Sequence, residues 1–389
     1  MSKKLLIEGW RGINHSYAMV NQYQMLALAK LNIDFCHHDL PFFNPNWNQD
    51  QNFCGFDESA IARLNEVKIF ADQDQIDATY RISYPYRLYP SKSDHLFVFG
   101  TSEYQSVTDE MIFDDGLKIK NADRPLTIVT PSNWSKVGFL KAGFRDEQVK
   151  VIPHGVDQSI FKPLEDEVRN QYRNALGANR DTFVILSVGA MTANKGIDLL
   201  LGAYLQLKPK YPQIKLVLKD QSNLYGISAN DVINQYCTSN GINLTSNEMR
   251  DAVQGFFVMS QNLSLVQLNG LYNAADCYVS PYRAEGFNLT PLEAAAAGTP
   301  IIVTKGGSTD DYVNECAADQ IEAIKVDVKE KTFLEPNLGS LMEKLEKRIA
   351  KNRNSIKSEF QGKVIGKNYT WDLVAKRMAS SLNIYKDSL

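Results

Sequence analysis

Ser280 to Val313 reads SPYRAEGFNLTPLEAAAAGTPIIVTKGGSTDDYV. Two carboxylates, Glu285 and Glu293, stand eight positions apart in it, with Gly286 between them. A helix start is expected near Thr290-Pro291, since proline suits the first turn. A helix N-terminus presents unpaired amides and the positive end of a dipole, a setting that suits phosphate. Glu293 falls one turn into that helix, and Glu285 falls in the loop before it. One carboxylate can then meet a sugar on one side of a diphosphate, and the other a ribose on the far side. The AAAAG run lets the helix pack closely on a sheet. Taken as a bare spacing, the same residues also fit a capped helix with two surface glutamates.

The flanking sequence supplies the frame. Towards the N-terminus, short apolar runs alternate with helical segments: Phe183 to Val188, a helix from about Gly196, Lys215 to Leu218, Phe256 to Met259, a helix over Gln267 to Ala275, and Cys277 to Val279. Pro291 to Ala297 reads as the next helix and Pro300 to Val303 as the next strand. Before the charged stretch from Phe161 to Ala178 a first series appears. It comprises Lys4 to Glu8, a helix over SYAMVNQYQMLALAK with Ser16 as its expected cap, and Asn32 to His37. His95 to Phe99, Leu126 to Val129, a helix from Ser132, and Val149 to Ile152 follow. Alternating strands and helices on both sides of a junction predict an α/β protein of two doubly wound parallel sheets. The expected domains are 1–165 and 166–369, with a terminal helix at about 370–389 crossing back to the first. Residues 41 to 57, rich in Asn, Pro, Phe and Gln, read as an irregular loop.

Bulk composition agrees with a soluble globular chain. Of 389 residues, 44% are hydrophobic and 22% charged, with 42 basic against 45 acidic side chains and a net charge of −3. Disordered, collagen-like and disulfide-scaffold classes are excluded, and a broad nucleic-acid surface is disfavoured by the lack of basic surplus. Five cysteines, widely spaced and without a CxxC, are expected to be buried reduced thiols. Two lysines and four apolar residues before Glu8 are too short for a signal-peptide core. The apolar run at Ala294 to Val303 is too short to span a membrane. A cytoplasmic location is the expectation. No metal site is expected: the Asp310-Asp311 and Asp114-Asp115 pairs have no His or Cys at ligand spacing.

The segment EGFNLTPLEAAAAGTPIIVTKGG resembles the donor-site signature of the retaining nucleotide-sugar glycosyltransferases of family 4, which have the GT-B fold. VIPHGVDQSIFKP (151–163), SVGAMTANKGIDLLL (187–201), LYNAADCYVSPY (271–282) and YTWDLVAKRM (369–378) fit the same family in the same order. The resemblance is firm from about residue 126 onward and weaker before it. It implies two Rossmann-like domains facing across a cleft, the first for an acceptor and the second for a UDP- or GDP-linked sugar. It implies a hexosyltransferase that retains configuration, needs no cofactor or metal, and acts on a glycan, lipid or small-molecule acceptor.

Residue by residue, the resemblance gives Glu285 the donor sugar's hydroxyls and Glu293 the ribose. Gly189, Gly286 and Phe287 would line the donor. The amides of Asn288, Leu289 and Thr290 would bind its phosphate or sugar. Lys195 would neutralise the departing diphosphate, because a fixed cation aimed at developing charge lowers a barrier. One position departs from the family: Ala190 stands where an arginine usually follows the strand glycine. Lys219 or Arg283 is expected to supply that charge. Lys219 is preferred, because strand C-termini face the ligand crevice. In the first domain Arg11, Gly12, His15 and Ser16 are the acceptor-side candidates. Glu103 is the candidate to accept a hydrogen bond from the acceptor hydroxyl, and His154 is expected to shape the chain. Other readings of the same fold are a sugar-nucleotide epimerase, a glycan phosphorylase, or a non-catalytic sugar-nucleotide binder.

Overall fold

The computed structural model describes residues 3–49, 55–113, 125–316, 318–351, 365 and 367–384. Asp114, Asp115 and Cys54 lie outside them. The chain forms two compact units, one of Met1–Gly155 with Asn368–Leu389, the other of Val156–Lys367.

The first unit is built on six parallel strands: β1 (Leu5–Gly9), β2 (Phe35–Asp39), β3 (Ala78–Ile82), β4 (His95–Phe99), β5 (Leu126–Thr130) and β6 (Val149–Val151), in the order β2-β1-β3-β4-β5-β6. β1, β3 and β5 are buried along their whole length. β3 carries no apolar run, since its ATYRI sequence holds Arg81. Arg81 is buried because Glu8, its register partner on β1, accepts from it at 2.7 Å, while the Arg87 and Pro90 carbonyls take the rest of the guanidinium. A buried charge persists only when paired and hydrogen-bonded. The helix Ser16–Lys30 is capped by His15 rather than by Ser16: the ring Nδ1 accepts from the Tyr17 amide at 3.1 Å.

The helix Trp371–Ser381 completes this unit. Trp371 stacks on Tyr23 with ring centroids 4.8 Å apart, and Lys30 pairs with Asp372 at 2.6 Å. His154 lies between the rings of Phe99 and Trp371, and burial lowers its pKa to about 3. A side chain at Gly155 would run into the Trp371 backbone. His154-Gly155 thus shapes the first unit around its returning helix.

In the second unit the strands are β7 (Phe183–Val188), β8 (Ile214–Lys219), β9 (Phe256–Met259), β10 (Cys277–Ser280), β11 (Ile301–Thr304) and β12 (Asp319–Ile321). They run parallel in the order β12-β11-β10-β7-β8-β9. Counted from its own first strand this is 3-2-1-4-5-6 reversed, the dinucleotide-binding order, with its switch point between β7 and β10. Leu200, Leu201, Tyr204 and Leu207 of the helix Ile197–Leu207 join strand residues such as Ile185 and Leu216 in its core. An antiparallel hairpin, β13 (Ala323–Val328) with β14 (Lys331–Pro336), follows β12.

The junction precedes the charged helix Asp166–Ala175 that marks the change of composition. Phe161 packs on Tyr272, and Asn269 and Asn273 hold the Lys162 and Leu164 amides at 3.2 and 3.0 Å. These contacts bind the segment before residue 165 to the second unit. Cys36, Cys237, Cys277 and Cys316 are free thiols and buried.

Candidate functional site

Ligands of open parallel sheets bind beyond the strand C-termini at the switch point, and two loops of the second unit meet there. β7 is followed by Gly189, whose φ of +143° and open surroundings suit a residue without a side chain. A short turn, Ala193–Lys195, follows and closes on Gly196 at φ +69°. A Cβ on Gly196 would sit 1.9 Å from the Pro281 carbonyl oxygen, so only glycine lets this turn touch the loop after β10. Asn194 fastens the two loops. Its carbonyl accepts from the Arg283 amide at 2.7 Å, and its side-chain amide donates to the Ala284 carbonyl at 3.0 Å. The next residues on each side, Lys195 and Glu285, form an ion pair. The lysine is 27% exposed and the glutamate 7%. Nothing in the sequence patterning pointed to Asn194. Its signal is its place one residue before the lysine.

Glu285 leads through Gly286 and Phe287 to the helix Leu289–Ala296. Asn288 at φ +68° turns the chain into this helix and is anchored by its own donation to Ser280 Oγ at 2.9 Å. Tyr312 donates to the Asn288 carbonyl at 2.6 Å. The Tyr278 hydroxyl lies 3.2 Å from the Val188 carbonyl and 2.7 Å from Thr290 Oγ1, tying the helix start to the end of β7. No side chain caps the helix. Its first amides, on Leu289 and Thr290, have no acceptor among the described residues. Glu293 is buried, and Tyr272 donates to its Oε2 at 2.8 Å. Burial pushes its carboxyl up to about 8 against the partial relief of that hydrogen bond.

The two candidates for the missing cation differ. Arg283 is committed: it bridges Asp198 at 2.7 and 2.8 Å and Glu335 at 3.2 Å, and donates to the Ala193 carbonyl. It holds the Lys195 turn to β14 and has little left for a ligand. Lys219, at the end of β8, is 4% exposed. Its described hydrogen bond goes to the Asp220 carbonyl. An ammonium has three donors, so most of its capacity is unmet among the described residues. Burial lowers its pKa, against the opposing charge of Asp220. The Asp220 carboxylate itself serves the Ser222 and Ala229 amides and Ser260. Ala190 is buried at the turn beyond Gly189.

In the first unit Arg11 forms a two-point pair with Asp39, both contacts at 2.9 Å, and also donates to the Leu64 carbonyl. Gly12, at φ +75°, donates its amide to Gln22 at 2.9 Å. His15 is held by its cap and by the rings of Trp10 and Trp47, and burial lowers its pKa to about 4. Ser16 is exposed. The Glu103 carbonyl accepts from Trp134 Nε1 at 2.7 Å, which fixes this loop after β4. Asp310 serves the Gly306 amide and Gln320. Among the described residues no three His, Cys, Asp or Glu side chains converge to hold a metal ion. No described helix is long and apolar enough to cross a membrane.

Residues 168–330 match the family model for glycosyl transferases group 1. The matched residues lie within the second unit, and the fold of the chain is GT-B. Over 219 residues the sequence is 28% identical to the mannosylfructose-phosphate synthase of Agrobacterium fabrum, covering 56% of this chain and 44% of that one. Over 159 residues it is 30% identical to the D-inositol 3-phosphate glycosyltransferase of Corynebacterium jeikeium, covering 41% and 36%. The aligned region spans less than half of either relative. The crystal structure of Anabaena HepE in complex with UDP and glucose superposes with a TM-score of 0.64 at 15% identity, over 98% of this chain and 100% of that one.

Proposed function

We propose that this protein is a retaining glycosyltransferase of family 4, of hexosyltransferase type. It moves a sugar from a UDP- or GDP-linked donor to an acceptor hydroxyl, in the cytoplasm. The observation that carries the reading is the Lys195–Glu285 pair beside the open amides of the helix Leu289–Ala296. A nucleoside diphosphate sugar offers each of these groups a partner. The diphosphate takes Lys195, the amides of Leu289 and Thr290, and Lys219. The sugar hydroxyls take Glu285, and the ribose diol takes Glu293. Gly189, Gly286, Phe287 and Asn288 shape the backbone around the donor. The first unit holds the acceptor, with Glu103 accepting from its hydroxyl. The family resemblance supplies the order of events: a phosphate oxygen of the leaving group takes the acceptor proton on the same face, so no side-chain nucleophile or metal is required.

The test is a donor panel of UDP-glucose, UDP-N-acetylglucosamine, UDP-galactose, GDP-mannose and ADP-glucose, read by thermal shift and by nucleoside diphosphate release. One donor is expected to raise the melting midpoint and to be slowly turned over, with both effects lost in Glu285→Ala. A panel in which no donor binds speaks against the reading.

Glu293 gives the reading a pH signature. The folded carboxyl titrates near 8 and the unfolded one near its ordinary 4.5. Between these values the folded state holds the extra proton, so this group's contribution to stability declines as pH rises from 4.5 to 8. Ribose hydroxyls donate to the carboxylate and favour its ionised form, so nucleotide binding at pH 7 should release a proton. Calorimetry in two buffers of different ionisation enthalpy reads that proton directly. Glu293→Gln should abolish the release, weaken nucleotide binding and flatten stability between pH 5 and 8. Unchanged proton release in Glu293→Gln would assign the titration elsewhere.

A further inference from the structure

We propose that the acceptor is an uncharged saccharide, held face-on by an aromatic wall at the carboxyl ends of β1 and β3. This rests on the glycosyltransferase reading and names the substrate of its acceptor side. The order β2-β1-β3 places the first sheet's own switch point between β1 and β3, where open sheets bind ligands. The chain leaves β1 at Trp10 and β3 at Ser83-Tyr84, and the loop after β2 brings Phe43 and Trp47 to the same place. Trp47 packs on Trp10 and His15 with centroids 5.9 and 5.1 Å apart, and Phe43 meets Tyr84 edge to face at 5.3 Å. Phe43 is nevertheless 57% exposed. Exposed aromatic area on a rigid aromatic base calls for a partner with an apolar face.

Charge selects the partner. Arg11 is bound at two points by Asp39, and the Arg87 guanidinium stands 4.2 Å over the Phe113 ring. The His15 imidazole is neutral at pH 7. Two carboxylates, Glu110 and Glu103, lie close enough to Tyr84 to add to the effect of burial in raising its hydroxyl's pKa. A phosphorylated acceptor would meet these carboxylates in repulsion, and Arg11 is already taken by Asp39. A neutral pyranose suits both elements: its C–H face covers an aromatic ring and its hydroxyls donate to carboxylates.

All four tryptophans (Trp10, Trp47, Trp134 and Trp371) belong to the first unit, so intrinsic fluorescence reports on that unit. The experiment titrates the full chain with neutral disaccharides of gluco, galacto, manno and N-acetylglucosamino type, and with their phosphorylated counterparts. UDP and GDP binding is followed by calorimetry on the same preparation. At least one neutral disaccharide should quench fluorescence, and its phosphorylated counterpart should bind at least tenfold more weakly. Phe43→Ala should weaken the neutral ligand at least tenfold with the melting midpoint unchanged, and Phe43→Trp should restore it. Tighter binding of the phosphorylated form, or equal binding by Phe43→Ala, overturns the proposal. Intact nucleotide binding without any neutral disaccharide bound also overturns it and leaves the donor reading in place. Disaccharide binding without nucleotide binding supports it and counts against the donor reading.

Discussion

Lys195→Ala should lower sugar transfer by about 10²–10³-fold, the usual cost of removing one preorganised group that stabilises developing charge. The loss should fall on turnover more than on donor affinity, because the diphosphate gains negative charge as the sugar departs. Glu285 is 7% exposed and pairs with this lysine. Removing the cation alone therefore leaves a carboxylate poorly solvated and lowers stability as well. The double variant Lys195→Ala/Glu285→Ala separates the two effects: it should recover part of the lost melting midpoint and none of the activity. Single-turnover measurement of nucleoside diphosphate release is the readout. A Lys195→Ala enzyme within threefold of wild type would remove this lysine from the leaving-group role.

Lys219→Ala should cost at least tenfold in turnover if this side chain takes the place of the arginine absent at Ala190. The stability effect has the opposite sign to that of a structural lysine. The ammonium is buried, is destabilised in its charged form by that burial, and has one carbonyl acceptor. Taking it away removes an uncompensated buried donor set, so Lys219→Met, which keeps the volume, should unfold no earlier than wild type. Slow turnover with undiminished stability identifies a cation kept for its ligand. Near-normal kinetics with intact folding would show that the enzyme works with Lys195 alone.

Much of the second unit was readable because its strands are continuous apolar runs. FVILSV at 183–188 and FFVM at 256–259 end where the patterning places them. Lys195 and Glu285, chosen from separate segments 90 residues apart, are paired side by side. Strands whose burial depends on a partner stayed hidden. β3 lacks an apolar run because Arg81 is neutralised by Glu8, a contact that no local window contains. In the hairpin β13–β14 the first strand alternates charged with apolar residues, and Lys329-Glu330 offers no turn signal. The positions of Arg11 and Arg283 were legible, but their engagement was not: each depends on acidic residues distant in sequence, Asp39 for one and Asp198 with Glu335 for the other.

The helix Trp371–Ser381 packs on the helix Ser16–Lys30 although more than three hundred residues separate them. On the ribosome, the second unit is made in one uninterrupted piece and can fold as soon as it emerges. The first unit, begun earlier, must wait for its closing helix. Until then Tyr23 is without its stacking partner, Trp371, and the chain's order of synthesis is the reverse of its order of completion. Any ligand of the aromatic cluster around Trp10 and Trp47 thus meets a unit finished only after the whole second unit has been translated.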